Sequence, residues 1–202
     1  MYDYLSKNWL EWFGVVSGLL YLFLEIRQKS AMWVVGFVMS IVYVAVFYES
    51  KFYAGMSLSI YYSAVSIYGF WLWRFGVEKS DVEENPQIHY YKTGARLVTI
   101  LFIIAVILFV VISQVLVRYT DSPVPYGDAL VSSLSVVATW MVARKYIAHW
   151  VIWIFVNFVS VYLFALQELY PTMFLYLVYG VLSVYGYWKW NKSGIEKQTF
   201  NP

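Results

Sequence analysis

The chain of 202 residues contains no cysteine, few charged residues and only five prolines. Without cysteine, it has no disulfide, no catalytic thiol and no zinc–thiolate centre. Charged residues make up 13% of the chain, whereas 61% of the residues are hydrophobic and 22% are aromatic. The two histidines, His89 and His149, are not spaced as metal ligands, and the sequence has neither a phosphate-binding loop nor a nucleophile elbow. The composition excludes a soluble domain, and the missing motifs argue against an enzyme and against a bound cofactor.

Hydrophobic stretches long enough to cross a membrane recur along the chain, whose mean hydropathy is +0.61. The clearest stretch runs from Leu97 to Val117 and carries no charge, and about 20 apolar residues are needed to span a hydrocarbon core of about 30 Å. The sequence therefore predicts an all-α integral membrane protein with seven transmembrane helices. The predicted spans are 8–25, 32–48, 55–73, 97–117, 128–143, 147–166 and 172–190.

The basic residues are distributed unevenly between the two sides that these spans define. Of the 14 Lys and Arg residues, 11 fall on one side and three, Lys7, Lys51 and Arg118, fall on the other. Because cytoplasmic loops are rich in Lys and Arg, the bias predicts that the N-terminus is outside and that the C-terminus is cytoplasmic. Six acidic residues fall on the outer side, and this negative face favours the approach of a cationic solute.

An internal repeat relates the two halves of the chain. An offset of 117 positions aligns residues 32–73 with residues 149–190 without a gap, and 14 of the 42 pairs are identical. Two copies of a three-helix unit can have the same orientation only if one further helix reverses the chain between them, which predicts a 3+1+3 arrangement. Carriers built from such parallel repeats bind substrate between the repeats, near the middle of the membrane. The predicted parts are a first three-helix bundle at 8–73, a cytoplasmic linker at 74–96, a linker helix at 97–117 and a second bundle at 128–190.

The two copies differ at a group of polar and aromatic positions. Trp150, Trp153 and Asn157 share one face of a helix, at i, i+3 and i+7. The first copy has Gly36 and Ser40 where the second has Trp153 and Asn157. An indole offers a flat π surface and an amide fixes orientation, so the pattern predicts a ligand site. The candidate substrate-binding residues are Trp150, Trp153, Asn157, Ser40, Tyr62 and Tyr179.

Four of these residues also have a structural interpretation. Asn157 can hydrogen-bond to a neighbouring helix, and Trp150 can belong to the aromatic belt at the membrane surface. Tyr62 and Tyr179, which are repeat-equivalent, can pack between helices. The centres of the predicted helices lack Asp, Glu, Lys and Arg, which ion-coupled carriers usually need there, so uncoupled facilitated diffusion is predicted.

The seven helices in a 3+1+3 plan and the WxxWxxxN spacing of Trp150, Trp153 and Asn157 resemble the Pnu family of bacterial vitamin transporters. This family is similar in plan to the SWEET sugar transporters. The resemblance covers essentially the whole chain and implies that the three motif residues contact substrate. It also implies a place in the bacterial inner membrane and transport of an unphosphorylated cofactor precursor, which a cytoplasmic kinase then traps.

The substrate predicted from this resemblance is a cationic vitamin. Pnu-type proteins carry nicotinamide riboside or thiamine, and some are proposed to carry riboflavin. The compact chain and its beginning, MYDYLSKNWLEWFGVVSGLLYLFLEIRQK, resemble members that carry thiamine, so thiamine is predicted slightly ahead of nicotinamide riboside. A SWEET-like sugar carrier is a more distant alternative. The predicted partners are this small molecule, the lipid bilayer and the trapping kinase; no nucleic acid is expected, and whether the chain forms a homo-oligomer is left open.

Overall fold

The computed structural model describes residues 9–49, 53–75 and 88–197, which form seven helices and two short strands. The elements are α1 (Trp9–Ile26), α2 (Ala31–Glu49), α3 (Tyr53–Phe75), β1 (Ile88–Tyr91), α4 (Ala95–Tyr119), α5 (Pro125–Ala143), α6 (His149–Leu166), α7 (Tyr170–Ser193) and β2 (Gly194–Lys197). Much of the predicted linker, residues 76–87, lies outside the described residues.

The structure confirms a seven-helix protein suited to a membrane. Four of the helices, α2, α4, α5 and α6, are long and apolar enough to cross a bilayer. Large apolar side chains remain exposed along α4, and Phe102 and Ile107 have exposed fractions of 68% and 57%. Such a surface is stable in contact with lipid and not with water. The 3+1+3 arrangement of the helices stays a prediction.

The chain divides at Arg74 into two compact units. The first contains α1 to α3, and the second contains α4 to α7 with both strands. In the second unit α4, predicted as a separate linker helix, packs against α5. The buried side chains of Leu101, Ala105, Val137 and Met141 form the contact between these two helices.

The turn between the first two repeat helices has the same backbone geometry in both units. In the first unit, Gln28 has a positive φ of 52°, its amide donates to the carbonyl of Glu25, and the next amide donates to Leu24. In the second unit, Lys145 has a φ of 56°, its amide donates to the carbonyl of Val142, and the next amide donates to Met141. These donors and acceptors lie 117 positions after those of the first turn. Both turns are Schellman motifs, which end a helix and satisfy its last carbonyls. Neither uses the glycine that is usual at the left-handed position.

A buried aromatic cluster is also repeated in the two units. Its members are Trp33, Gly69 and Trp73 in the first unit, and Trp150, Gly186 and Trp190 in the second. In each unit the first indole lies against the glycine so closely that a Cβ there would fall within 2.4 Å or 2.5 Å of the ring. The two indoles meet edge to face, with centroids 5.6 Å and 5.7 Å apart. Glycine is therefore required at both positions to admit the ring.

A cation–π contact is repeated at the end of α1 in the first unit and at the end of α5 in the second. The Arg27 guanidinium lies 4.1 Å from the centroid of the Phe23 ring, and that of Arg144 lies 4.4 Å from the centroid of Trp140. These pairs are again 117 positions apart. The internal repeat in the sequence therefore corresponds to repeated side-chain contacts within the units.

The second unit has a small sheet that the sequence analysis did not predict. Strand β1 pairs in parallel with β2, and the Tyr91 backbone also exchanges hydrogen bonds with the turn between α5 and α6, donating to the Lys145 carbonyl and accepting from Ile147. The pairing brings the start of α4, the α5–α6 turn and the end of α7 to one face of this unit. The all-α prediction is corrected at these two strands, which are too short to show the period-two pattern of a longer strand.

Candidate substrate-binding site

The three residues of the WxxWxxxN motif lie on α6, which packs against α5 and α7. The helix begins directly after the Schellman turn at Lys145, and this turn sets its first residues beside the end of α5. The structure describes all six candidate residues. Four of them, Trp150, Trp153, Asn157 and Tyr179, belong to the second unit, whereas Ser40 and Tyr62 belong to the first.

Trp150 is completely buried. Its ring lies over Gly186 and contacts the rings of Trp190 and His149, the latter with centroids 4.6 Å apart. The His149 Nδ1 donates to the Tyr146 carbonyl over 2.6 Å, which fixes the imidazole beside the indole. This packing encloses the Trp150 ring, so the residue can contact a substrate only if the cluster opens, although its indole Nε1 has no hydrogen-bond partner among the described residues. Its role as a substrate contact stays a prediction.

Trp153 is partly buried, one turn further along α6. Its indole Nε1 is shielded from solvent and has no hydrogen-bond partner among the described residues. An unsatisfied indole N–H in a buried place costs free energy unless a ligand or a water accepts its hydrogen bond. Trp153 therefore has both a π face and a donor that are suited to a polar aromatic ligand.

In the first unit, the position that corresponds to Trp153 is a glycine, Gly36, and the space beside it is taken by an aromatic residue of another helix. A Cβ on Gly36, the repeat mate of Trp153, would lie 2.9 Å from Cε2 of Tyr21. The repeat mate of Tyr21 is Ala138, which is fully buried in the second unit. The first unit thus pairs an aromatic residue on α1 with glycine on α2, and the second pairs alanine on α5 with an aromatic residue on α6.

Asn157 is buried, and its amide is tied to α7. Its Nδ2 donates to the Ser183 Oγ over 3.2 Å, and this hydroxyl donates to the Tyr179 carbonyl over 2.8 Å. Tyr179 also packs its ring against Tyr176, with centroids 5.7 Å apart. The contact between Asn157 and α7 agrees with the structural interpretation of this residue, but it uses only one of the four hydrogen bonds that an amide can make.

The two candidates of the first unit have local partners. Ser40 is buried and its Oγ donates to the Gly36 carbonyl over 2.7 Å, within its own helix. Tyr62 is partly buried, and its ring lies 5.5 Å from that of Tyr61. Neither residue has an amide that could be oriented for recognition.

The structure identifies buried and partly buried polar residues that the sequence analysis missed. Ser183 and Tyr21 are described above. A third is Glu25, a carboxylate in the last turn of α1 with only 2% of its surface exposed, which interacts electrostatically with Tyr21. The sequence signal for the burial of Glu25 was its apolar neighbours in LYLFLEI. The residue was missed because an acid at the end of a span is usually taken as solvated. Among the described residues, no group of three or more His, Cys, Asp or Glu side chains is placed to hold a metal ion.

The described residues form seven helices with a lipid-compatible surface, and α6 carries aromatic and amide side chains at least partly buried within the protein. These are features of a multi-pass membrane transporter of small molecules. A family model described as nicotinamide mononucleotide transporter matches residues 8–192. The chain belongs to this family, that of the Pnu-type vitamin transporters, and is therefore a transporter of the bacterial inner membrane and not an enzyme.

Individual relatives agree with this assignment. The nicotinamide riboside transporter PnuC of Escherichia coli strain K12 is 26% identical to this chain over 94% of it and 88% of that protein. PnuC of Haemophilus influenzae is also 26% identical, over 92% and 80%. The riboflavin/roseoflavin transporter RibM of Streptomyces davaonensis is 25% identical, over 90% and 84%. The fold is shared with a crystal structure of the vitamin B3 transporter PnuC, with a TM-score of 0.72, 24% identity and coverage of 95% and 84%.

These relatives bear on the predicted substrate. Vitamin transport is supported, but the preference for thiamine is not, and the alternative prediction of nicotinamide riboside fits better. The thiamine prediction came from the compact length of the chain and the look of its first residues. Neither the length of the chain nor the general look of its first residues carries information about which ring is bound.

Proposed function

We propose that this chain carries nicotinamide riboside across the inner membrane by facilitated diffusion. The observation that carries the proposal is the placement of Trp153 and Asn157 on α6, where a partly buried indole and a buried amide lie about one turn apart on the same helix. Two of the relatives described above are nicotinamide riboside transporters, which favours this substrate over thiamine.

In the proposed mechanism, the Trp153 indole stacks on the pyridinium ring of the substrate. A cation over an indole face gains roughly 0.5 to 2 kcal/mol, and more where water is excluded. Asn157 binds a substituent of the ring, while Ser40, Tyr62 and Tyr179 line the path. The motif predicts that Trp150 also contacts the substrate. Its packing favours a different role, in which it supports the helix face that carries Trp153 and Asn157.

The remaining parts of the proposal concern direction and driving force. The N-terminus is outside and the C-terminus cytoplasmic, and the helices are arranged as 3+1+3. Transport is uncoupled and follows the gradient, which a cytoplasmic kinase maintains by phosphorylating the imported riboside. The excess of basic residues on one side of the predicted spans supports the orientation, and the repeated contacts within the units support the arrangement.

Uptake of labelled nicotinamide riboside into proteoliposomes tests this proposal. We expect saturable uptake that excess unlabelled riboside blocks and that thiamine, riboflavin and a hexose block weakly or not at all. Trp153→Ala should reduce uptake by about 2- to 30-fold by removing the π surface, whereas Trp153→Phe should retain part of it. A matched control is Trp188→Ala, which removes an indole of the same unit that is 52% exposed and should leave uptake unchanged.

The outcomes separate the alternatives. Normal uptake by Trp153→Ala, with the control also normal, would remove this residue from the site. Efficient competition by riboflavin instead of nicotinamide riboside would place the chain with RibM in substrate choice. Imposing a proton or sodium gradient should not drive accumulation, and concentrative uptake under such a gradient would contradict facilitated diffusion.

A further inference from the structure

A short chain of hydrogen bonds links the candidate site to α7. It runs from the Asn157 Nδ2, over 3.2 Å, to the Ser183 Oγ, and from that hydroxyl, over 2.8 Å, to the Tyr179 carbonyl. Ser183 is 1% exposed and Asn157 is 6% exposed, so water does not compete for these bonds. The order of donors along this chain determines which atoms of the amide are left for a ligand.

A serine hydroxyl has one proton to donate and two lone pairs that accept. The proton of Ser183 is directed to the Tyr179 carbonyl, so the hydroxyl acts as an acceptor toward Asn157. The amide must then present its NH₂ group to Ser183, which leaves its carbonyl Oδ1 available to accept from another group. Without such a partner, the two ends of an amide are similar in shape and can exchange by a rotation of 180°.

We propose that Ser183 is a positioning residue that holds Asn157 with its Oδ1 as an acceptor toward the substrate, so that the site selects a ring substituent that donates an N–H. The inference rests on the proposed function and adds the chemical feature that the site reads. In nicotinamide riboside this feature is the N–H of the carboxamide. A site that is built to pair with a donor rejects an analogue without it, because the buried acceptor would then be left unsatisfied.

The first unit supports a specific role for this pair in the second. The repeat mate of Ser183 is Ser66, which is similarly buried. The repeat mate of Asn157 is Ser40, whose hydroxyl donates within its own helix to Gly36. The serine is therefore present in both units, but only the second supplies an amide for it to orient.

The test compares two ribosides that differ in this donor alone. Nicotinamide riboside has a carboxamide, and the riboside of 3-acetylpyridine has a methyl group in place of the NH₂ while keeping the carbonyl, the ring cation and the sugar. We expect the full chain in proteoliposomes to take up the first with a KM about tenfold lower, which corresponds to one hydrogen bond of ordinary strength. The maximal rates should differ little.

Ser183→Ala removes the acceptor that fixes the amide and should reduce this tenfold preference to about twofold, chiefly through the KM for nicotinamide riboside. Ser183→Cys, in which sulfur is a weak acceptor of similar size, should give an intermediate preference and serves as the test if the alanine variant does not fold. The matched control is Ser133→Ala. Ser133 is equally buried in the same unit and its hydroxyl donates to the Leu130 carbonyl, so the preference should stay tenfold.

Each result supports or overturns the inference. A preference that falls in both Ser183 variants and not in the control supports it. An unchanged preference in a Ser183 variant that melts at the wild-type temperature overturns it, as does equal uptake of the two ribosides by the unaltered chain, although both results leave nicotinamide riboside transport intact. No uptake of either riboside by the folded chain overturns the proposed function itself, and the inference with it.

Discussion

The two units share a framework and differ in what they place on it. Both have a Schellman turn with a non-glycine residue at its left-handed position, and both have an indole seated on a glycine. On this framework the first unit has Gly36 and Ser40, whereas the second has Trp153 and Asn157. The comparison separates residues that maintain the unit, which occur in both copies, from residues that can recognise a ligand, which occur in one.

This criterion divides the WxxWxxxN motif. Trp150 has a mate, Trp33, with the same burial, the same glycine contact and the same edge-to-face partner. Trp153 and Asn157 have mates of different chemistry. The motif spacing places all three on one helix face, but the comparison assigns Trp150 to the framework and the other two to recognition.

The largest expected effect tests that division at Trp33 and Trp150. Each alanine substitution should lower the free energy of unfolding by about 3 kcal/mol or more, because it removes a buried indole and leaves a cavity. We expect similar losses in melting temperature for the two variants in detergent, with Trp188→Ala as the exposed control. If Trp150→Ala keeps the wild-type melting temperature and loses binding of nicotinamide riboside, the residue is a substrate contact and the framework assignment is wrong.

The sequence predicted the framework better than the site. Helix number, the repeat and the helix face of α6 followed from hydropathy and from identities such as Trp33/Trp150 and Gly69/Gly186, because these depend on local periodicity. The hydrogen bond from Asn157 to Ser183 joins residues 26 positions apart, and the filling of the space beside Gly36 by Tyr21 joins two helices. Such contacts depend on how helices pack, which a single sequence does not specify. The strands were missed because four residues are too few to show a pattern.

A smaller effect is expected at the matched turns. Gln28→Gly and Lys145→Gly should each relieve the cost of a left-handed non-glycine residue, which is on the order of 0.5 to 1 kcal/mol. The Lys145→Gly variant should gain more stability than Gln28→Gly. Burial lowers the pKa of Lys145 to about 8, so its charge is less stable in the folded protein than in the unfolded chain, and the substitution removes it.

The pH dependence distinguishes the two turns. Below about pH 8, Lys145 is protonated in both states, and the folded state carries the full cost of desolvating its charge. As the pH rises from about 8 toward the ordinary lysine value of 10.5, the unfolded state holds more protons, so the cost disappears and the folded protein becomes more stable. The gain from Lys145→Gly should therefore shrink over this range in thermal melts, whereas that from Gln28→Gly should stay constant. Equal gains at every pH would show that the Lys145 charge is solvated.

The smallest expected effect concerns the sheet that the structure describes in the second unit. Lys92 and Glu196 form an ion pair of 2.7 Å across β1 and β2, and the Glu196 carboxylate raises the pKa of Lys92. Both side chains are well exposed, at 67% and 43%, and exposed ion pairs contribute little to stability because water and salt screen them. Glu196→Gln should therefore leave the melting temperature and the uptake rate unchanged. The backbone bonds of Tyr91 to the α5–α6 turn remain in that variant, so a clear loss of stability would mean that the ion pair, and not the strand pairing, holds the ends of α4 and α7 together.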